Sequence, residues 1–73
     1  MTLTAERIAR IFSRCTTVRR ALLASRWADR LGLVDLRDAL FARAMELRAG
    51  SAYPVAAEHW SANRRAALER ITP

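Results

Sequence analysis

Apolar residues recur along this chain at intervals of three and four positions. Ile8, Ile11, Phe12 and Cys15 keep this spacing near the start, so in a helix they would share one apolar face. Arginines at positions 7, 10 and 14 would lie on the opposite side of the same helix. The same period continues through three later segments, and the pattern therefore predicts an all-α fold built from amphipathic helices.

Helix-capping residues mark where these helices should begin. Thr4 precedes the first apolar face and is a good N-cap, and Thr16 or Thr17 would cap the second helix. Asp35 is expected to cap the third helix, because its short side chain can accept a hydrogen bond from a backbone N–H of the first turn. The fourth helix would begin at Pro54, whose missing N–H costs nothing at the first position of a helix.

Two glycines mark where helices should end. Gly32 and Gly50 can each adopt the left-handed conformation that closes a helix. Together with the caps, they predict a compact bundle of four short amphipathic helices in a single domain, 1–73. The predicted helices are 4–15, 17–31, 35–49 and 54–71.

The second helix has an apolar arc that we expect to face the core. Trp27 lies in this arc, and it and Trp60 of the fourth helix are expected to fill the core, because a domain this small needs large side chains. Cys15 is expected to be a small buried side chain, in keeping with the burial preference of cysteine. The other members of the arc are Leu23, Ala24, Ala28 and Leu31.

The third helix carries more apolar surface than one packing face requires. Phe41 and Met45 form a second apolar line, about 100° around the helix from the first. Either the helix is central and packs on several neighbours, or Phe41 and Met45, together with Leu22, form an exposed patch that a partner covers. The first line consists of Leu36, Leu40, Ala44 and Leu47.

Few residues of this chain could carry chemistry or hold a metal. A single cysteine, Cys15, excludes an internal disulfide, and with the single histidine, His59, it falls short of the four ligands of a structural zinc site. The sequence has no glycine-rich phosphate loop and no nucleophile–base signature. We therefore expect no catalytic residue, no metal and no cofactor, and we do not expect an enzyme.

Membrane insertion and secretion have no support in the sequence. No stretch reaches the roughly 18 to 20 apolar residues that are needed to span a membrane. The first residues also lack the basic start and apolar run of a signal peptide. We therefore expect a cytoplasmic protein with no membrane partner.

The charge of the chain points to a macromolecular partner. Thirteen arginines and no lysines stand against seven acidic residues, which gives a net charge of +6. Such a charge attracts nucleic acids, acidic proteins or anionic surfaces. Because a domain this small has a thin stability margin, a second subunit or a bound partner is also expected to stabilise it.

One segment resembles the first half of a helix-turn-helix motif. In residues 24–36, Ala28 would be the small residue where two helices touch, Gly32 the turn glycine and Leu33 the apolar residue that follows it. This resemblance implies that the third helix could enter the major groove of DNA. Asp38 departs from the motif, which calls for an apolar residue there, and Asp35 and Asp38 would both repel phosphates.

Two functions follow from these observations. The first is a small non-catalytic regulatory or adaptor protein that binds an acidic protein partner and forms a homodimer. An apolar face of the third helix would supply affinity, and flanking arginines would steer the partner. The residues expected to bind protein are Leu22, Arg37, Phe41, Met45 and Arg48.

The alternative is a helix-turn-helix-like regulator that binds DNA. Arginines of the second and third helices would then contact phosphates, and binding would weaken steeply with salt. The residues expected to bind nucleic acid are Arg19, Arg26, Arg30, Arg37 and Arg43.

Overall fold

A computed structural model describes residues 3–71, and this part of the chain is a bundle of helices without strands. The prediction of an all-α bundle with four helices is thereby confirmed, and each predicted boundary lies within one residue of the observed one. None of the helices in the described range is long and apolar enough to cross a membrane. The helices are α1 (Ala5–Arg14), α2 (Val18–Arg30), α3 (Val34–Ala49) and α4 (Pro54–Ile71).

Threonine side chains cap the first two helices. Thr4 Oγ1 accepts a hydrogen bond from the backbone N–H of Arg7 at 3.2 Å, as predicted. Thr17 Oγ1 accepts one from the backbone N–H of Arg20 at 3.1 Å, so Thr17 rather than Thr16 caps α2. Each cap satisfies one of the N–H groups that the first turn of a helix leaves without an internal partner.

The junction between α2 and α3 corrects the prediction that Asp35 caps the third helix. Gly32 has a φ of 73°, its N–H donates to the carbonyl of Asp29 at 3.0 Å, and the N–H of Leu33 donates to the carbonyl of Ala28 at 2.9 Å. These are the two hydrogen bonds of a Schellman motif. Because the motif brings the chain directly back into helical geometry, α3 begins one residue early, with Leu33 at its N-cap and no capping side chain.

Helix α3 is the central element of the bundle. It packs along α2 on one side and along α4 on the other. Its buried residues cover slightly more than half of its circumference and include Leu36, Leu40 and Ala44 of the first apolar line. The second line lies outside this buried arc, with Met45 partly buried and Phe41 42% exposed. These buried residues are Leu36, Ala39, Leu40, Ala42 and Ala44.

The contact between α2 and α3 is made by small side chains. Ala21, Ser25 and Ala28 are the buried residues of α2, and the Ser25 hydroxyl donates to the carbonyl of Arg37 at 3.1 Å. Only Leu36 and Leu40 combine large volume with complete burial among the described residues. Small residues let the two helices approach closely, so the interface has little room for large side chains.

Close packing turns α2 away from the orientation that its apolar arc predicts. The buried positions 21, 25 and 28 centre about 90° around the helix from the centre of that arc. Leu23 is therefore 53% exposed and Trp27 39% exposed, and Leu31 is also exposed. The prediction that Trp27 fills the core is wrong, whereas the predicted burial of Ala28 and Cys15 is confirmed.

Helix α1 has the weakest attachment to the bundle. None of its residues is buried, and it contacts the core through partly buried Ile11 and Phe12. Cys15, directly after the helix, is 3% exposed, and its carbonyl accepts a hydrogen bond from Arg43 Nε at 3.4 Å. A cleft of about 420 Å³ lies between the face of α1 that carries Phe12 and the residues Arg43 of α3 and Arg64 and Leu68 of α4. Among the contacts of α1 within the described residues, the one at its C-terminal end, through Cys15, is therefore the most deeply buried.

Candidate functional site

A groove of about 530 Å³ lies between α1 and α2. Its lining combines apolar side chains with arginines, and none of its lining residues is acidic. The apolar residues are Leu3, Ile11, Cys15, Leu23, Ala24 and Trp27. The arginines are Arg7, Arg10, Arg14 and Arg20. We call this feature the arginine groove.

Helix geometry places each wall of the arginine groove. Arg7, Arg10 and Arg14 follow one another at intervals of three and four, so they line one edge of α1. Leu23 and Trp27 lie on the flank of α2 that the close α2–α3 contact leaves exposed. The same packing that excludes these two side chains from the core therefore supplies the apolar wall of the groove.

Charge is distributed unevenly along the chain. Residues 3–33 contain seven arginines and two acidic residues, whereas residues 34–71 contain six and five. Arg10, Arg14 and Arg20 form no ion pair with any residue of the described range. The positive charge of the protein is thus concentrated around the arginine groove, where no carboxylate of the lining offsets it.

A second group of charges ties α2, α3 and α4 together. Arg37 donates to Asp29 at 2.9 Å and to Asp38 at 3.1 and 3.2 Å. Arg70 donates to Asp35 at 2.8 Å and to Asp38 at 3.5 Å. The hydrogen bonds that Arg37 donates to Asp29 and Asp38 raise the pKa of its guanidinium group, and the hydrogen bond that Arg70 donates to Asp35 raises the pKa of Arg70.

This network bears on the helix-turn-helix resemblance. Asp29 pairs with Arg37 across the helix junction and not with Arg26 one turn away, because the Gly32 turn brings the two helices side by side. The start of α3 presents two carboxylates that already have arginine partners. Three of its residues near that end, 36, 39 and 40, are buried. It therefore offers few groups that could contact the edges of DNA bases.

Glu46 is the least exposed of the carboxylates that form ion pairs within residues 3–71. Its oxygens accept hydrogen bonds from Arg43 at 3.0 Å and from Arg64 at 3.1 and 3.3 Å. Burial by itself would raise the pKa of the Glu46 carboxyl, but the hydrogen bonds from Arg43 and Arg64 outweigh it and hold the pKa below its ordinary value. Glu46 thus pairs with Arg43 one turn away on α3 and with Arg64 of α4.

The residues expected to bind protein are separated by the fold. Leu22 and Met45 are partly buried against the core, and Arg37 is held by its aspartate partners. Phe41 is 42% exposed, and Arg48 is also exposed. Two of the five residues therefore remain available at the surface.

The residues expected to bind nucleic acid are also divided. Arg19, Arg26 and Arg30 are exposed on α2 and have no ion pair within residues 3–71. Arg37 and Arg43 take part in the two networks described above. The available basic surface therefore lies on α1 and α2 rather than on α3.

An aromatic face occupies the opposite part of the molecule, and we define it by Phe41, Tyr53, Val55, His59 and Trp60. The Phe41 and Trp60 rings meet edge to face with centroids 5.8 Å apart, and the His59 ring meets Trp60 in the same way at 5.4 Å. Tyr53 and Val55 are exposed, while Trp60 is only half-buried, although the sequence predicts that it fills the core. The aromatic face is uncharged when His59 is neutral.

Neither surface contains an arrangement that is typical of catalysis or metal binding. No group of three or more potential metal ligands occurs within the described residues. The thiol of Cys15 lines the arginine groove but is almost fully covered, and burial raises its pKa, although the charge of Arg43 partly opposes this. Since a thiolate is the reactive form, burial makes this cysteine a poor nucleophile.

Sequence reasoning missed the arginine groove because it assigned Leu23 and Trp27 to the core. The signal that could have found it is the spacing of Ala21, Ser25 and Ala28, three small residues on one line of α2. Small residues at intervals of four and three indicate a close helix contact. Comparison with known proteins finds no matching family model, no similar curated protein and no similar solved structure, so function must be inferred from the groove itself.

Proposed function

We propose that this protein is a non-catalytic binding module, a small regulator or adaptor, that holds an acidic segment of a partner protein in the arginine groove. One observation carries this proposal: an apolar cleft lined by four arginines and by no carboxylate. Such a lining matches a ligand that is both apolar and negatively charged.

Exposed apolar side chains support the proposal. Leu23 and Trp27 present apolar surface to water, whereas within residues 3–71 Leu36 and Leu40 are the only large side chains that are fully buried. Complete burial of a fully exposed leucine side chain contributes about 1.5–3 kcal/mol, and Leu23, which is 53% exposed, would contribute about half of that on binding. A partner that covers these two residues would therefore gain affinity from them, and the arginines would accelerate its approach and select for negative charge.

Nucleic-acid binding is the second candidate function. Arg19, Arg26 and Arg30, exposed and without ion pairs in the described part of α2, are the observation that favours it. Binding would then use the outer surface of α2 and not α3, whose first two turns carry Asp35 and Asp38. Titration with duplex DNA distinguishes this candidate, because affinity that depends on phosphate contacts falls linearly with salt on a logarithmic plot.

We further propose that the protein forms a homodimer through the aromatic face. Two copies repel each other at the arginine groove, whereas the aromatic face brings no like charges together. In sedimentation velocity, Val55→Asp should convert a dimer to a monomer, and Val34→Asp, at an exposed position outside both surfaces, should not. A wild-type protein that is monomeric at about 100 µM would contradict this proposal.

Affinity capture with matched variants tests the main proposal. Tagged full-length protein is incubated with an extract of its source cells, with and without nuclease. We expect a protein to be retained under both conditions by the wild type and by Val34→Asp, and to be lost with Leu23→Asp. Retention that disappears with nuclease, or that Leu23→Asp does not reduce, would overturn the proposal in favour of nucleic-acid binding or of another surface.

A further inference from the structure

We infer that the segment held in the arginine groove is an amphipathic helix with carboxylates along one flank. The inference rests on the proposed function and specifies the conformation and charge pattern of the bound segment.

The arginines set the charge pattern of the ligand. Arg7, Arg10 and Arg14 span about 10 Å along α1, at the rise of a helix. A second helix that lies along this edge repeats at the same rise, so its carboxylates meet the guanidinium groups when they follow the same three- and four-residue intervals. Arg20 stands at the start of α2, which the short connection of residues 15–17 places beside the end of α1.

The apolar wall has the spacing of a helix-binding surface. Leu23, Ala24 and Trp27 lie at intervals of one and three on α2, and Ile11 faces the groove from α1. A helix that inserts an apolar stripe between two others would complete a three-helix packing unit around this wall. Amphipathic helices bind hydrophobic grooves in this way, with anchors at i, i+3 or i+4 and i+7.

Backbone hydrogen bonding favours a helical peptide over an extended peptide as the ligand of the groove. An extended segment needs partners for its own N–H and C=O groups when it is removed from water. The walls of the groove are helices, whose backbone groups bond internally, and no strand edge exists in residues 3–71. A helix satisfies its own backbone, so only side chains need to match the groove.

The chain itself supports a peptide ligand over duplex DNA at this site. Leu23 and Trp27 contribute much of the exposed apolar surface of the groove, and a phosphate backbone has no group to cover them. Phosphate contacts require only the arginines. The inference therefore predicts that both Leu23 and the arginines determine affinity, whereas duplex DNA would depend on the arginines alone.

Three synthetic peptides test the inference by NMR titration of the ¹⁵N-labelled full-length protein. The first is an amphipathic helix with a leucine stripe and glutamates at i, i+3 and i+7 on one flank. The second has the same composition in a scrambled order that destroys the helical pattern. The third carries glutamine at the glutamate positions. Amide shifts of residues lining the groove report the binding site, and their concentration dependence gives Kd.

We expect the first peptide to bind at the groove at least about tenfold more tightly than either of the others. Arg10→Glu and Leu23→Asp should each weaken its binding at least about tenfold, while Arg65→Glu, an exposed arginine on α4, should change Kd less than about twofold. Circular dichroism confirms that each variant retains its helices.

Each alternative result overturns a different claim. Equal binding of the ordered and scrambled acidic peptides would overturn the helical conformation and leave an acidic partner in place. No shift with the first peptide at about 1 mM would overturn the inference, and the capture experiment would then decide the proposed function. Competition of the first peptide by duplex DNA, together with full binding by Leu23→Asp, would overturn both.

Discussion

Arg64 of α4 donates from Nε to Oε1 of Glu46 of α3 at 3.1 Å, and this contact between residues 18 positions apart in sequence joins the two helices. Arg43 donates to the same oxygen at 3.0 Å. Two guanidinium groups therefore share one largely enclosed carboxylate, and the stability of the α3–α4 contact depends on its ionisation.

Glu46→Gln should destabilise the protein and reduce the acid sensitivity of its folding. The pKa of Glu46 is lower in the folded than in the unfolded chain, so its contribution is complete above the unfolded value of about 4.3 and is lost as pH falls through the folded value. We expect a loss of about 1–2 kcal/mol at pH 7 from urea denaturation. Below the folded pKa the wild type and the variant should converge.

Glu69→Gln is the matched control for this prediction. Glu69 is exposed on α4 and has no ion pair within residues 3–71. The free energy of unfolding of this variant should stay within about 0.5 kcal/mol of the wild type across the pH range. An equal effect of the two substitutions would show that the enclosed ion pair contributes nothing specific.

Leu40→Ala and Leu23→Ala should differ sharply, although both remove a leucine from an apolar line of a helix. Leu40 is completely buried at the centre of the bundle, so its truncation should cost about 2–5 kcal/mol. Leu23 is more than half exposed, so its truncation should change stability by less than about 0.5 kcal/mol. Thermal melting followed by circular dichroism measures both, and a comparable drop in Tm would place Leu23 in the core after all.

Gly32→Ala should destabilise the turn between α2 and α3 through backbone conformation alone. Nothing lies within 4 Å of the position that a Cβ would occupy, so no steric clash is involved. The φ of 73° is unfavourable for alanine by about 1–2 kcal/mol. Gly32→Asn should recover part of this loss, because asparagine tolerates the left-handed region, and equal losses for the two variants in urea denaturation would contradict this explanation.

Thr17→Ala should destabilise the start of α2 by about 1 kcal/mol, the usual contribution of a threonine N-cap. The substitution removes the oxygen that accepts from the N–H of Arg20. Thr16→Ala is the control, since the neighbouring threonine does not cap the helix. Urea denaturation measures the free energy of unfolding of both variants. A larger loss of stability for Thr16→Ala than for Thr17→Ala would show that Thr16, and not Thr17, caps the helix.

Local signals of the sequence predict the helices well, because they depend on neighbouring residues. The Thr4 cap, the Gly32 turn and the Pro54 start all lie where short-range chemistry places them. Asp35 is the exception. The Schellman motif, which includes the hydrogen bond from the Leu33 N–H to the Ala28 carbonyl, leads directly into α3, so the helix begins before Asp35 and has no capping side chain.

Contacts between helices are harder to predict than the helices themselves. Periodicity identifies an apolar arc but does not reveal which flank of the arc meets a neighbour. In α2 the side that faces α3 is the line of small residues, Ala21, Ser25 and Ala28, and not the side with the larger apolar residues, because small side chains allow the two helices to pack more closely. Hydrophobic periodicity alone therefore assigns Leu23 and Trp27 to the core, although both are exposed. For this reason it does not predict the arginine groove.

Ion pairs between helices also depend on the tertiary arrangement. Asp29 has Arg26 one turn before it in the sequence, yet it pairs with Arg37 on the next helix. This pair forms because the turn at Gly32 places α2 and α3 side by side and because the two helices pack closely. The local sequence around Asp29 does not specify how closely the two helices approach. For the same reason, only the folded chain shows that Arg10, Arg14 and Arg20 have no ion pair within residues 3–71.

The attachment of α1 through Cys15 gives the arginine groove two walls of different stiffness. The α2 wall belongs to the packed bundle, whereas the α1 wall has no buried residue and faces a cleft on its other side as well. Local opening of a weakly packed helix requires less free energy than global unfolding. We therefore expect the width of the groove to adjust to the size of a ligand through displacement of α1, while α2, α3 and α4 keep their packing.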